Sequence, residues 1–408
     1  TKVDESTGIY QFQGAMTVID NETGKVVAMI GGRSQDELQQ TYSLNRGFQS
    51  FKQPGSSIKP LVIYTPALEE GYDANSTLTE IDVKAAKKST SEKISKMSGQ
   101  KMSLRYAVED SKNGCAYSLY NIITPKVGLS YIENMNFSKI VQQDYTLSSG
   151  LGGLHHGTNT VEMANAYSTL ENHGEYRQAD CISSILDASG NEIYEEPESK
   201  TVYTRSASDQ MTDILEGVLN SSAGTAKGLK WSSASAAAAK TGTTNDNNVA
   251  WFCGYTPYYT ISVWVGYDYP KSVKGLWGNT YPAYIWKEAM LYMIDGKDEA
   301  DFDLEGKKAT GNKNVISDED DSSAPEESTD TSVTNPDDAQ NTTDTNPSGG
   351  GHSTDSSTDS TIDGNVPQGT EDISGGTISN SNKSESAGGS SESSSTGGES
   401  SGESDTTQ

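Results

Sequence analysis

The sequence predicts an α+β fold in which an antiparallel β-sheet is flanked by helices. Three observations carry this. A β-hairpin pattern opens the chain within its first 32 residues. Helical periodicity then dominates the middle, and three short apolar runs separated by turns come near residue 267, followed by one more helix. Strands do not alternate with helices in βαβ fashion, so the hairpin, the late strands and the last helix are expected to share one antiparallel sheet.

In chain order, Gly14–Asp20 reads as a strand, Asn21-Glu22-Thr23-Gly24 as a turn and Lys25–Gly32 as the returning strand. A helix is expected to start at Ser56 and end near Gly71. Residues 72–102 are polar and rich in Lys and Ser, and read as an excursion over the surface. Helices are expected over Ser103–Asp110, Gly114–Ile123, Thr160–Glu171 and Ala207–Leu219, the third stopped by Asn172-His173-Gly174. Ile182–Tyr194 reads as a hairpin. Ala234–Gly242, Ala250–Tyr255 and Thr260–Tyr267 are the late strands, and Ala283–Met293 is the final helix.

Composition divides the chain at about residue 300. Hydrophobic residues make up 32% of the whole, below the roughly 45–50% of an ordinary globular domain. From Asp301 the chain is almost all Ser, Thr, Gly, Asp, Asn and Glu, with Phe302 its only aromatic. Such a segment cannot bury enough apolar surface to offset its ordering entropy, so 300–408 is expected to be a disordered acidic tail after a domain over 1–299. That tail holds 23 acidic and 4 basic residues, −19 of the net −27. No basic stripe dominates elsewhere, which argues against nucleic acid. Cys115, Cys181 and Cys253 form neither a disulfide framework nor a zinc pattern. No run is long and apolar enough to span a membrane. The chain opens without Met or signal peptide and reads as a piece of something longer.

Three short motifs bear on chemistry. Ser56-Ser57-Ile58-Lys59 places Ser56 and Lys59 one helical turn apart on one face, a hydroxyl beside an amine. Pro54-Gly55 precedes it, and Pro60 falls in the first turn, where its missing N–H costs nothing. Ser111-Lys112-Asn113 lies between two predicted helices, and Lys240-Thr241-Gly242 ends a strand of small residues. Each motif alone is as easily a surface serine, a helix end or a strand end. Motif, order and local context agree for all three, and together they match the S-x-x-K, S-x-N, K-T-G set of the penicillin-recognising serine enzymes.

Over residues 10–295 the chain resembles the transpeptidase domain of a class A (bifunctional) penicillin-binding protein. The resemblance extends to the opening strands through Gly31-Gly32-Arg33, Leu44-Asn45-Arg46, Gln53-Pro54-Gly55-Ser56, Gly150-Leu151-Gly152-Gly153-Leu154 with Val161-Glu162-Met163-Ala164, and Lys240–Asp246 with Trp251-Phe252 and Gly254-Tyr255-Thr256-Pro257. It implies a sheet with helices on both faces plus an all-helical subdomain. It also implies D,D-transpeptidation of peptidoglycan stem peptides through an acyl-serine, with β-lactams as covalent inhibitors and no cofactor or metal. The implied setting is the extracellular face of a bacterial cytoplasmic membrane, with an anchor and a glycosyltransferase domain upstream. The chain departs from the pattern at Lys112, at Cys115 (where a free thiol near the site invites oxidation), at Ala239 in place of Gly, and at Val249 in place of an acid.

In chemical terms Ser56 is the expected nucleophile, and Lys59 the candidate base because no His is suitably placed. An ordinary Lys is protonated at neutral pH, so the expectation is a neutral Lys59, depressed by burial and by a cationic Lys240. Either Lys59 or Ser111 takes the hydroxyl proton, and Ser111 relays a proton to the leaving group. Asn113 suits a substrate amide. Gly242 is expected to admit a substrate backbone along the strand, with Thr241 and Thr243 at a terminal carboxylate. By the resemblance, backbone N–H groups of Ser56 and Thr243 meet the oxyanion. Two other functions use the same motifs: a β-lactamase, for which Glu162 is the available extra base, and a β-lactam sensor that stays acylated.

Overall fold

A computed structural model of the chain describes residues 2–5, 8–33, 44–244 and 246–305. The tail expected to be disordered lies outside the described residues from 306 onward, as does Asn245. The predicted opening hairpin is β1 (Phe12–Asp20) and β2 (Val26–Ile30). Between it and the helical middle lies the Ser56 segment, which ends in α1 (Thr65–Glu69). The chain continues through β3 (Thr77–Glu80), α2 (Val83–Ala86), α3 (Ser91–Ser95), β4 (Gln100–Ser103), α4 (Leu104–Glu109), α5 (Asn113–Ile123), α6 (Pro125–Asn134) and α7 (Thr160–Glu171). Short strands β5 (Glu175–Tyr176) and β6 (Lys200–Thr201) lead to α8 (Arg205–Asn220), then β7 (Ala238–Thr243), β8 (Val249–Tyr255), β9 (Tyr259–Tyr267) and α9 (Tyr281–Met293).

The main sheet has the order β2-β1-β9-β8-β7, with antiparallel pairing throughout. β1 pairs with β9 from Phe12↔Tyr267 to Asp20↔Tyr259, so the N-terminal hairpin and the late strands do form one sheet. β8 is buried along its whole length because helices cover both of its faces. Phe252 meets Trp286 of α9 at 5.0 Å between ring centroids, while Tyr255 meets Tyr167 of α7 at 6.4 Å on the other side. β7 is an edge strand.

Several sequence expectations need correction. Residues 72–102 are not a bare excursion. β3 and β4 pair from Thr77↔Ser103 to Glu80↔Gln100, and Ile81, Ala86 and Ile94 form a small apolar cluster with Tyr117 of α5. The polar composition hid this because only one residue in several turns inward. α6 went unpredicted, although Thr124 caps it through Val127 N–H and Pro125 opens it. The expected hairpin over Ile182–Tyr194 reduces to one bridge, Leu186↔Glu192, about a turn at Asp187–Gly190. Its Ile182, Ile185, Leu186 and Ile193 are exposed, so no apolar face holds a longer ladder together.

The Ser56 helix is also not a plain α-helix. It runs as a 3₁₀ turn over Gly55–Ile58, a π-turn over Pro60–Tyr64 and then α1. Pro60 and Pro66 have no N–H to donate, so the regular i→i−4 ladder cannot form across the segment. The Thr65 N–H reaches back to Pro60 O instead. Two carbonyls left over are taken by tyrosine hydroxyls: Tyr167 donates to Ser57 O and Tyr203 to Leu61 O, both at 2.7 Å. All four residues that follow this pattern are buried, so water cannot do the same work.

Candidate active site

Ser56 sits in the 3₁₀ turn, half-buried, at the wall of a cleft of about 310 Å³. The same cleft is lined by Ser111, Asn113, Thr225, Thr241, Thr243, Trp277 and Asn279. Glycine makes the placement of Ser56 possible. Gly55 has φ +56°, and a Cβ there would lie 2.7 Å from Thr243 O; a Cβ on Gly152, at φ +88°, would lie 2.2 Å from Gly55 Cα. Gly152, Gly55 and the Thr243 backbone are therefore stacked in direct contact, which accounts for glycine at 152. Arg46 of the Leu44-Asn45-Arg46 match holds Asp268, just beyond β9, through two bonds of 2.7 and 2.6 Å.

Lys59 is fully buried. Its Nζ donates to Ser111 O at 2.8 Å and to Asn113 Oδ1 at 2.7 Å, with Lys112 O further off at 3.4 Å. Burial pushes this amine down to about 7, opposed by the charge of Glu80. Ser111 occupies a left-handed conformation, φ 57°, in the turn between α4 and α5. Its hydroxyl accepts from Lys240 Nζ at 2.7 Å. Lys240 is equally buried, and its amine is held well below the ordinary lysine range, first by burial and then by Lys59. Lys240, expected to stay cationic beside a neutral Lys59, is thus lowered by desolvation as Lys59 is. Among the described residues no group hydrogen-bonds the Ser56 hydroxyl, which is left facing the cleft.

The strand motif divides by face. Thr241 and Thr243 line the cleft, with Thr241 Oγ1 2.8 Å from Thr225 Oγ1 and Thr243 Oγ1 accepting from Gly278 N–H at 2.9 Å. Gly242 turns the other way. A Cβ there would meet Pro54 O at 2.4 Å and Ser57 Oγ at 2.9 Å, so this glycine admits the chain's own 54–57 segment rather than a substrate. Cys115, flagged as oxidisable, is fully buried, and burial followed by Glu80 holds its thiol far above the usual range. Glu162 is tied to Ser138 N and Oγ at 2.8 and 2.7 Å and to Thr158 Oγ1 at 2.7 Å, and does not line the cleft. Sequence reasoning missed Glu80, Tyr167, Tyr203, Thr225 and Trp277. They come from elements distant in sequence, and none carries a local motif. Among the described residues no cluster of His, Cys, Asp and Glu is placed to hold a metal ion.

A serine at a helix start, two buried amines behind it and a hydroxyl-lined cleft at a sheet edge define a candidate serine acyl-transfer site. The chain belongs to the penicillin-binding transpeptidase family: residues 14–291 match the model described as "Penicillin binding protein transpeptidase domain". Penicillin-binding protein 4 of Bacillus subtilis is 33% identical over 276 residues, covering 67% of this chain and 43% of the relative. Penicillin-binding protein 1A of Clostridium perfringens is 29% identical over 283 residues, covering 65% and 41%. The chain therefore spans less than half the length of these relatives. Among solved structures, the PonA1 protein of Mycobacterium tuberculosis in complex with penicillin V shares the fold, with a TM-score of 0.59 at 22% identity over 71% of this chain and 80% of that one.

Proposed function

We propose that this chain is a peptidoglycan D,D-transpeptidase domain that works through an acyl-Ser56 intermediate and is acylated there by β-lactams. The observation that carries the reading is the hydrogen bonding of Lys59. A neutral amine has two N–H bonds and one lone pair. Ser111 O and Asn113 Oδ1, at 2.8 and 2.7 Å, are the two near acceptors for those N–H bonds, with Lys112 O a longer third at 3.4 Å. In the neutral amine the lone pair is the acceptor we assign to the Ser56 proton, and burial lowers the amine to about 7, so that a large share of it is neutral near physiological pH.

Ser56 Oγ attacks the carbonyl of the penultimate D-Ala of a stem peptide, and its proton passes to Lys59. Ser111, accepting from Lys240, keeps its own O–H free to protonate the departing D-Ala amine, and regains a proton from the Lys59 ammonium, which returns to the neutral amine. The Ser56 ester is then attacked by an amine of a neighbouring stem, or by water in a carboxypeptidase side reaction. Asn113 has its oxygen on Lys59 and its amide N–H groups free for substrate. Thr241 and Thr243 meet the terminal carboxylate. We place the transpeptidase domain over 1–299 with an acidic tail over 300–408, at the extracellular face of the bacterial cytoplasmic membrane and joined upstream to an anchor and a glycosyltransferase domain. Residues just past 299 still contact the domain: Ala236 N–H donates to Ala300 O, and Phe302 meets Tyr255.

Incubation with penicillin, followed by intact mass against Ser56→Ala, tests this. A stable Ser56-dependent adduct, with transfer activity on stem peptides, is expected. Turnover within seconds indicates a β-lactamase, and a stable adduct without activity on stem peptides indicates a sensor. The seclusion of Glu162 from the cleft argues against the β-lactamase.

A further inference from the structure

Strand β3 ends directly on the helix that carries Asn113. Glu80, its last residue, accepts from Cys115 N–H at 2.8 Å in the first turn of α5. One residue along β3, Thr79 O accepts from Ser118 Oγ at 3.0 Å. The approach is close enough to require glycine between them: a Cβ on Gly114 would lie 2.2 Å from Ile81 O and 2.9 Å from Glu80 Cδ. Asn113, next in sequence, holds Lys59. Lys112, at the same turn, already pairs with Asp110 at 2.8 Å.

We propose that Glu80 is a positioning residue of the acyl-transfer site, capping α5 so that Asn113 and the Ser111 carbonyl stay on Lys59 and holding a negative charge near that amine. The inference rests on the reading of Lys59 as the base. A carboxylate at a helix N-terminus is favourably placed by both hydrogen bond and dipole. Its charge acts against the burial of Lys59 and so raises the pH at which that amine loses its proton. The other titratable groups around the pair are Cys115 and Tyr64, both buried with their protons held tightly, then Lys112 and Asp110 at the turn, and Lys240 across the site. Among these, Glu80 has the largest opposing effect on Lys59.

The test compares Glu80→Gln and Glu80→Ala with the unaltered chain. Gln keeps an acceptor for Cys115 N–H but removes the charge; Ala removes both. The titration midpoint of Lys59, followed by NMR of its Cε and assigned with Lys59→Arg, is expected to fall by about half a pH unit or more in the Gln variant. The acidic limb of the penicillin acylation rate should fall with it. Acylation in the Ala variant is expected to drop about tenfold or more, with faster amide exchange at Cys115, and Gln is expected to restore most of the rate. An unmoved Lys59 midpoint in the Gln variant, or full acylation by the Ala variant, overturns the proposal. Because the NMR midpoint is read without any reaction, a failure of Ser56 acylation in the unaltered chain would count against the proposed function and leave the Glu80 result to be judged separately.

Discussion

Lys59 Nζ donates to Asn113 Oδ1 at 2.7 Å, joining the base on the Ser56 segment to the second motif at the start of α5. An arginine at 59 cannot become neutral near pH 7. Lys59→Arg is expected to abolish penicillin acylation, read by intact mass, while the circular dichroism spectrum remains that of the folded chain. Measurable acylation by this variant would remove Lys59 from the role of base.

The pH dependence has a definite sign. Lys59 is lowered in the folded chain to about 7 from 10.5. Acylation should therefore rise with pH through about 7, as the amine becomes free. Between about 7 and 10.5 the unfolded chain binds the Lys59 proton and the folded chain does not, so stability should also rise with pH across that window. Urea midpoints measured from pH 7 to pH 9.5 check this; a flat or falling contribution relative to Lys59→Met contradicts the neutral amine.

Gly152→Ala is expected to destabilise strongly, by about 3 kcal/mol or more, because the new Cβ collides with Gly55 backbone and the φ is left-handed. Gly190 supplies the contrast. It has φ +86° but nothing within 4 Å, so Gly190→Ala should cost only the conformational strain, about 1 kcal/mol. Denaturant midpoints of the two variants separate steric from conformational cost.

The tyrosine caps separate stability from activity. Tyr203→Phe and Tyr167→Phe each leave a buried carbonyl without its donor, costing about 1–3 kcal/mol. Only Tyr167 holds the carbonyl of Ser57, beside the nucleophile. Its variant should slow acylation more than the Tyr203 variant at equal loss of stability, and equal rates would deny the 3₁₀ turn that role.

Thiol labelling of the native chain should reach the exposed Cys181 and spare Cys115 and Cys253, which are buried and held protonated. Labelling of all three before unfolding would show that the site is more open than this packing allows.

The strands of the main sheet, most of the helices and the three motifs are legible in the sequence, because periodicity, turn residues and short-range spacing are local properties. The spacing of Ser56 and Lys59, three residues apart, is one such property. How distant segments meet is set by packing and has no local signal. Gly242 faces Pro54 and Ser57 rather than the cleft because β7 packs against the Ser56 turn. Lys240 loses proton affinity because it is buried alongside Lys59, and no spacing rule reports burial. Glu80, Tyr167 and Tyr203 lie in segments that looked like surface or core, and their contact with the site arises where separate elements close on a short, proline-broken helix whose own hydrogen bonds fall short.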